Sequence, residues 1–499
     1  MSAFISHSTY PPPDDADIFR VGYLPGLAAD ELEWETREFS AHGRRAQLAY
    51  PQLTSEQLTA VARSVKAGAQ AHLSRMPVME IVDVIDRCVM RMLDAGHPHR
   101  QAMDALLPVI TGFDPEMTRL GLNASLKAFR RPQLLRMLVE DFGDPGLLDD
   151  FRPRARGGWT RACGPALLAH VWAGNVPGLP LWSMVAGLLV KGGSLGKVAT
   201  AEPIFATWFA QTLAEVEPRL AESLAVAWWP GGDHEMEEAL CKEADVFQIY
   251  GGDATLAAWQ NRIPAGKRLL PHGHKLSLGL VSRSTLDTRQ AHFVARKAAL
   301  DIVRWDQQAC FSPQVFYVER GGQTSPADFA RHLAGELAAL QHSFPRRSLS
   351  LEESAMLAQW RHRMEMSQLR GESLEILGSK DAPWMLAYLD EARAPGPGPL
   401  NRAACVMAVD HLADVLPFLE SRRAYLQTIG LAASPEILFD LAPQLAQSGA
   451  VRICALGDMT SPSEGWHHDG RFSLLDMVRM VDIDASAEEA AESFAAYRD

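Results

Sequence analysis

Residues 291–319, AHFVARKAALDIVRWDQQACFSPQVFYVE, decide how the second half of this chain is interpreted. Val294, Ala298 and Ile302 repeat at four-residue intervals, which predicts a helix. The β-branched and aromatic residues 315–318 predict a strand. Proline cannot continue a helix, so the helix must end before Pro313. Cys310 therefore lies where a helix passes into a strand.

A cysteine in that position is compatible with two interpretations. The thiolate is the reactive form of cysteine, and an environment with a low thiol pKa would make Cys310 a nucleophile. Free cysteines also commonly serve as small core residues. The segment alone leaves both interpretations open.

Composition limits the classes of function. The chain has 499 residues, 47% of them hydrophobic and 22% charged, and a net charge of −13. That length allows two or three domains, and the acidic balance opposes nucleic-acid binding through the overall field. No pair of the six cysteines has CxxC spacing, so neither a zinc site nor a disulfide framework is indicated.

Targeting and membrane signals are weak. The N-terminus has no basic residue before Arg20 and no long apolar run, which is not typical of a secretory signal. The most apolar stretch, residues 179–190, is too short for a bilayer, which takes about 20 residues. We therefore expect a cytoplasmic protein without a membrane span.

The predicted secondary structure changes near residue 150. Residues 1 to about 30, with prolines at 11–13, suggest an irregular arm, and residues 55–140 carry helical periodicity. Strand-like and helix-like segments then alternate over 166–252, which predicts a parallel sheet. Such sheets bind ligands at the carboxyl ends of their strands, where the turns at Gly174 and Gly251 fall.

A second α/β pattern begins near residue 273 and contains the cysteine segment. We predict four regions: an arm and helical region (1–150), a cofactor-binding domain (151–272), a catalytic domain (273–460) and a C-terminal segment (461–499). The cofactor-binding domain is expected to include parts of the N-terminal region and the C-terminal tail.

Four motifs taken together resemble a known family. DQQACFSPQ, AGNVPG, HGHKLSLG and GWHHDGRFSLLDMVRMVDI are similar to the LuxC-type acyl-CoA reductases over residues 166–483. That family is similar to aldehyde dehydrogenases in fold. The resemblance implies an α/β fold with a Rossmann-like nucleotide-binding domain, an α/β catalytic domain and an active site between them. It also implies a helical N-terminal region, an oligomerisation segment and a homo-oligomer.

The resemblance assigns the catalytic roles. It implies that Cys310 attacks a long-chain fatty acyl-CoA thioester and that hydride from NADPH releases the aldehyde. Asn175 matches the asparagine that stabilises the oxyanion, although asparagine is also common in turns. The acyl group could also come from an acyl-delivering protein partner. Covalent catalysis of this kind divides one difficult acyl transfer into two steps.

The resemblance also assigns cofactor-binding residues. Lys197 matches the lysine that reaches the adenosine ribose; a solvated surface lysine is the alternative interpretation. Thr200 stands where enzymes that prefer NAD often carry a glutamate. The absence of that charge favours NADP over NAD. Gly251 and Gly252 match the turn near the pyrophosphate, with Gly252 in place of the usual serine.

Two departures from the aldehyde dehydrogenase pattern carry information. Pro271 stands where hydrolytic members have a glutamate that activates water, and proline cannot act as a general base. The ribose-binding glutamate is expected near Leu400, where the chain offers no carboxylate. Asn401 or Arg402 is the hypothetical replacement.

Two further interpretations remain open. Residues 467–469, His-His-Asp, could suggest a metal, but no third ligand has suitable spacing, so we expect no metal and a structural or site-lining role. The chain could instead be a non-catalytic subunit that binds nucleotide or an acylated partner. An aldehyde-oxidising dehydrogenase is a third hypothesis, which Pro271 opposes.

Overall fold

The computed structural model describes residues 18–496. The predicted arm over residues 1 to about 30 therefore lies largely outside the described residues. Its described part contains the first strand. The strands in chain order are β1 (Ile18–Arg20), β2 (Glu33–Ala41), β3 (Arg44–Gln52), β4 (Arg152–Pro153), β5 (Trp159–Cys163), β6 (Leu167–Val171), β7 (Gly193–Lys197), β8 (Leu224–Ala227), β9 (Val246–Tyr250), β10 (Arg268–His272), β11 (Leu276–Val281), β12 (Pro313–Glu319), β13 (Leu374–Leu377), β14 (Met385–Leu389), β15 (Ala403–Val409), β16 (Leu426–Ala432), β17 (Arg452–Ala455) and β18 (Arg479–Ile483).

Helices cover much of the remaining described chain. They are α1 (Ser55–Ala71), α2 (Val78–Leu93), α3 (Pro98–Thr111), α4 (Pro115–Lys127), α5 (Arg131–Phe142), α6 (Leu179–Leu189), α7 (Ile204–Val216), α8 (Pro218–Ala221), α9 (His234–Glu243), α10 (Asp253–Arg262), α11 (Gln290–Val303), α12 (Pro326–Ser343), α13 (Leu351–Leu369), α14 (Leu416–Glu420), α15 (Pro435–Gln447) and α16 (Ala485–Glu492). Two short 3-10 turns, Arg304–Gln307 and His468–Gly470, matter for the site.

The chain forms two compact units. In the described residues, the first unit combines 18–111, 125–273 and 472–496, and the second combines 112–124 and 274–471. Each unit has its own large sheet.

The sheet of the first unit is parallel throughout, with the order β10-β9-β6-β7-β8. Strands β6, β8 and β9 are buried along their whole length, which explains their nearly continuous apolar sequences. The parallel sheet predicted from the alternating pattern is confirmed.

The N-terminal part of the first unit also contains a hairpin that the sequence patterns did not indicate. Strands β2 and β3 pair antiparallel over nine residues each, and β1 pairs parallel with β3. The predicted helical character of residues 55–140 is confirmed by α1 to α5. A further small sheet, β18-β5-β4, brings the C-terminal segment beside β5.

The sheet of the second unit has the order β13-β14-β15-β12-β11-β16-β17. All neighbouring strands are parallel except β13 and β14. Strand β12, which follows Cys310, is fully buried near the middle of this sheet, between β11 and β15. Apolar clusters on both faces hold the sheet in place.

Within residues 18–496, the helices are all too short or too polar to cross a membrane.

Candidate active site

Cys310 lies between a helix and a strand, as predicted. Helix α11 ends at Val303, the 3-10 turn Arg304–Gln307 follows, and β12 begins at Pro313. Because β11 and β16 run parallel to β12, the residues just before or at the start of all three strands meet at one edge of the sheet. Cys310 thus belongs to the amino edge of this sheet, opposite to the edge that ligands of parallel sheets usually occupy.

Two segments with unusual backbone angles flank this loop in space. Trp305, Asp306 and Gln307 have φ values of 54°, 47° and 67°. Leu400, Asn401 and Arg402 have φ values of 58°, 55° and 65°. Side chains with a Cβ rarely adopt this left-handed region, and each such residue costs of order 1–3 kcal/mol. The surrounding contacts must offset that cost.

The two segments, named the paired left-handed segments (305–307 and 400–402), are joined by an ion pair and a backbone hydrogen bond. Arg402 Nε donates to Asp306 Oδ1 at 2.6 Å, and both side chains are at most 1% exposed. The Asn401 backbone N–H donates to the Asp306 carbonyl at 3.1 Å. A buried charge pair with additional hydrogen bonds can hold backbone that would otherwise relax.

Gln307 adds three hydrogen bonds that hold the loop next to Cys310. Its amide nitrogen donates to the carbonyls of Pro313 at 2.7 Å and Ala403 at 3.1 Å, and its amide oxygen accepts the Ala403 N–H at 2.9 Å. The loop that carries Cys310 is therefore tied at both ends. Its position is fixed by residues about 90 positions away in the sequence.

Asn401 was predicted to contact a cofactor ribose. The structure places it in the second unit, 2% exposed, with its amide oxygen accepting from Gln308 at 2.9 Å and Arg347 at 3.0 Å. Arg402, the other hypothetical replacement, is completely buried against Asp306. Ribose contact by either residue stays a prediction, and these contacts assign both to the support of the Cys310 loop.

Two strands, β11 and β16, and one 3-10 turn contribute the immediate surroundings of Cys310. Ser277 Oγ donates to the Cys310 carbonyl at 2.9 Å and accepts the Thr428 N–H at 3.2 Å. Gln427, at the start of β16, forms a side-chain hydrogen bond with the thiol. Gln427 Nε2 also donates to Asp469 Oδ1 at 2.9 Å.

The Cys310 thiol is protonated at neutral pH in this arrangement. Desolvation is the largest cause that raises its pKa, to about 12, and the Asp469 carboxylate raises it further. The hydrogen bond from Gln427 and the Lys275 ammonium act in the opposite direction. The thiol pKa is therefore high in this state. Reaction requires a change in the charges or hydrogen bonds around the sulfur that lowers this pKa.

The other predicted site residues lie in the first unit at the carboxyl edge of its sheet. Asn175 lies exposed in the loop after β6, Lys197 ends β7, and Gly251 follows β9. Because β9, β6 and β7 are neighbours, these three residues share one edge. The turns at Gly174 and Gly251 fall at this edge, as the sequence predicted.

Lys197 is partly buried beside an indole. Its Nζ lies 5.5 Å from the centroid of the Trp229 ring, and burial lowers the pKa of its ammonium. An aromatic face stabilises a cation by roughly 0.5–2 kcal/mol. A lysine held in this way is less solvated than a surface lysine.

Thr200 belongs to an aromatic and cationic cluster that the motifs did not reveal. Trp228 Nε1 donates to Thr200 Oγ1 at 3.0 Å, and Tyr50 Oη donates to the Thr200 carbonyl at 3.4 Å. Arg37, from β2, stacks over Trp228 at 4.4 Å and over Tyr50 at 5.2 Å. The hairpin therefore places a guanidinium next to the side chains that contact Thr200.

The glycine turn after β9 leaves a helix N-terminus open. Gly252 precedes α10 and provides no side-chain cap, and a Cβ on Gly252 would meet no heavy atom within 4 Å. Uncapped N–H groups at a helix start favour a phosphate. With Lys197 at the same edge, the donors fit a dinucleotide cofactor. The acidic side chain of Asp253, in the first turn of α10, is the one feature here that opposes an anion.

Pro271 lies within β10, paired with Ile249 of β9. The position that carries a general-base glutamate in hydrolytic relatives thus contributes no carboxylate.

Sequence reasoning missed Arg37 and Gln427 completely. Neither belongs to a motif, and the contacts of Arg37 with Trp228 and of Gln427 with Asp469 join residues far apart in the sequence. Asp469 was noticed in a polar motif, but its contact with Gln427 had no signal in the sequence.

Solved structures share this architecture. Aldehyde dehydrogenase 21 from Physcomitrella patens, in complex with the reaction product succinate, superposes with a TM-score of 0.71 over 94% of this chain and 98% of its own, at 13% identity. NADP-dependent glyceraldehyde-3-phosphate dehydrogenase from Bacillus halodurans, complexed with NADP, gives 0.66 over 90% and 95%, at 12% identity. The chain therefore has an aldehyde dehydrogenase-like fold.

Sequence similarity is more specific. The long-chain acyl-protein thioester reductase of Aliivibrio fischeri is 26% identical over 407 residues, which cover 81% of each chain. The family model described as acyl-CoA reductase (LuxC) matches residues 73–480. That match begins just after α1 and ends within β18, and it includes Asn175, Lys197, Cys310, Gln427 and Asp469. The chain is a member of the LuxC family of acyl-CoA reductases.

Proposed function

We propose that this protein reduces a long-chain fatty acyl thioester to the aldehyde through an acyl-cysteine at Cys310. The observation that carries this proposal is the Cys310 loop itself. It is held by the paired left-handed segments, and its thiol accepts a hydrogen bond from Gln427 in a family whose relatives are named as thioester reductases. Strained backbone that is firmly supported is a common property of functional loops.

The residues take the following roles. The Cys310 sulfur attacks the acyl carbonyl, the bond from that carbonyl to the donor sulfur breaks, and the donor leaves as a thiol. Asn175 donates a hydrogen bond to the oxyanion that develops on the carbonyl oxygen. A bound reduced nicotinamide cofactor supplies the hydride. The Cys310 thiolate then leaves as the aldehyde is released.

The cofactor is proposed to be NADPH rather than NADH. Thr200 presents no carboxylate that would repel a 2′-phosphate, and Arg37, which is paired with Glu35 at 2.7 Å, brings a guanidinium to the same cluster. Lys197 would contact the adenosine ribose, and the N–H groups at Gly251 and Gly252 would face the pyrophosphate.

The acyl donor is proposed to be acyl-CoA, with an acylated protein as the alternative donor. The alternative is motivated by the Aliivibrio fischeri relative, which is named for acyl-protein thioesters. We also propose a cytoplasmic location, as expected from the sequence.

The decisive experiment follows NADPH and NADH oxidation with acyl-CoA substrates of increasing chain length. Cys310→Ser is compared with Cys454→Ser, which alters another partly buried free cysteine of the same unit. We expect aldehyde formation to disappear only in the Cys310 variant. Intact-protein mass spectrometry without cofactor should show one acyl group on the wild type and on Cys454→Ser.

Other outcomes contradict the proposal. Aldehyde oxidation without thioester reduction would indicate an aldehyde-oxidising dehydrogenase. That result is not expected, because Pro271 provides no carboxylate to activate water. No acyl label from either acyl-CoA or an acylated carrier protein would indicate a non-catalytic subunit.

A further inference from the structure

Three side chains from separate parts of the second unit act on the Cys310 thiol. Lys275 precedes β11, Gln427 is the second residue of β16, and Asp469 lies in the 3-10 turn His468–Gly470. Asp469 is held at a φ of 56°, and its side chain is 5% exposed. A non-glycine residue in that conformation, with a buried carboxylate, indicates that its position is imposed by its neighbours.

The Gln427 amide is oriented by Asp469. An amide nitrogen carries two hydrogens. One is donated to Asp469 Oδ1 at 2.9 Å, which identifies the end of the amide that faces this carboxylate. The same nitrogen then has a second hydrogen for the Cys310 sulfur, consistent with a hydrogen bond that favours the thiolate.

Lys275 and Asp469 have opposite effects on the same sulfur. Lys275 Nζ lies 3.7 Å from Asp469 Oδ1, and the Lys275 side chain is 17% exposed. The carboxylate raises the thiol pKa, whereas the ammonium lowers it. His468 Nε2 lies 3.9 Å from Asp469 Oδ2.

We propose that Gln427 is the hydrogen-bond donor to the Cys310 sulfur, and that Lys275 and Asp469 are positioning residues of opposite charge that set how readily the sulfur loses its proton. This inference rests on the proposed role of Cys310 as nucleophile. It adds three residues that act on the first step, before any hydride transfer.

The test measures alkylation of Cys310 by iodoacetamide in the full-length protein between pH 6 and pH 10, with peptide mass spectrometry to separate the six cysteines. Lys275→Met and Gln427→Met should lower the rate at each pH, whereas Asp469→Asn should raise it. A change of one unit in thiol pKa alters the rate at fixed pH by about threefold, because a less basic thiolate is also a weaker nucleophile. Asp458→Asn, an exposed carboxylate of the same unit, should leave the profile unchanged.

Opposite signs are the essential result. Substitutions that only loosened the packing would move all three profiles in one direction, and that outcome, or an unchanged Asp469→Asn profile, would overturn the inference. The assay uses neither thioester nor cofactor. Profiles that move as expected in a protein that forms no acyl-enzyme would overturn the proposed function and leave the role of the cluster intact.

Discussion

Arg37 gives the sharpest residue-scale prediction about the cofactor. We expect Arg37→Gln to weaken NADPH binding by about tenfold and NADH binding much less, since the guanidinium, which is paired with Glu35 at 2.7 Å, would attract the 2′-phosphate that only NADPH carries. Quenching of tryptophan fluorescence measures both dissociation constants. Trp228 lies under the guanidinium and should report on the site.

Arg45→Gln provides the matched control for Arg37. Arg45 lies on the adjacent strand β3, and its side chain is 80% exposed. Equal weakening of NADPH and NADH by Arg37→Gln would show that Arg37 supports the hairpin and does not recognise the phosphate.

Glu202 gives a residue-scale prediction about pH. Its carboxylate accepts the N–H groups of Ile204 and Phe205 at the start of α7, and burial raises its pKa from 4.5 to about 7. Between these values the folded state binds more protons than the unfolded state, so the free energy of unfolding falls as pH rises from about 4.5 to about 7. The stabilisation by Glu202 is complete below about pH 4.5 and is lost above about pH 7.

Glu202→Gln should remove that dependence, because the neutral amide oxygen can still accept both N–H groups. The variant should match the wild type near pH 4.5 and unfold at a higher temperature at pH 8. Thermal unfolding at the two pH values measures the difference, with the exposed Glu235→Gln as control. A variant that is less stable at pH 8 would contradict the direction of the pKa shift.

Individual residues were predictable where a motif carried them. Motifs singled out Cys310, Asn175 and Lys197, whose roles stay predictions, and Gly251 falls at the expected strand end. Gln427 and Arg37 were not predictable, because they lie 117 and 163 positions from Cys310 and Thr200 and no motif includes them. The ribose contact of Asn401 also stays a prediction, although its amide oxygen accepts hydrogen bonds from Gln308 and Arg347.

The paired left-handed segments (305–307 and 400–402) provide the element-scale prediction. Asp306→Asn leaves the Arg402 guanidinium buried without its charge partner, and breaking a buried pair costs about 3–5 kcal/mol. Urea unfolding should show this loss. The double variant Asp306→Asn/Arg402→Met should lose less than the sum of the two single variants, and full additivity would contradict a coupling between the segments.

Elements were predictable to different degrees. The helices within residues 55–140 were predictable, because apolar residues recur there at helical spacing. The hairpin β2–β3 was missed because its strands carry many charged and polar residues. The left-handed φ values had no signal, since none of the six residues is glycine and their conformation depends on tertiary contacts.

At the scale of the whole molecule, one edge strand is relevant to oligomerisation. Strand β18 is the edge of the sheet β18-β5-β4, and Met480 on it is 42% exposed. Unpaired edges invite pairing with another chain, so we propose that β18 contributes to the predicted homo-oligomer.

Met480→Lys should therefore reduce the oligomeric mass measured by light scattering, with thermal stability of the separated subunits retained. Met356→Lys, at another exposed methionine, is the control. An unchanged mass for Met480→Lys would exclude this part of β18 from the interface.

The fold class was predictable from the sequence because alternation of strands and helices is a property of the whole chain. The division of the chain was harder to foresee. Residues 112–124 belong with the second unit and 125–142 with the first, although both lie in one helical region. Helical periodicity identifies a buried face but not the unit against which that face packs.

The supports of Cys310 also determine when its environment is complete during synthesis. The second left-handed segment emerges from the ribosome about 90 residues after the cysteine, and Asp469 about 160 residues after it. At translation rates of about 5–20 residues per second, roughly ten to thirty seconds separate the cysteine from its last partner. Gln427 emerges 117 residues after the cysteine, so the nascent thiol has no hydrogen-bond donor until then, and it lacks the Asp469 carboxylate until near the end of translation. The newborn chain therefore carries a cysteine whose environment is completed in steps.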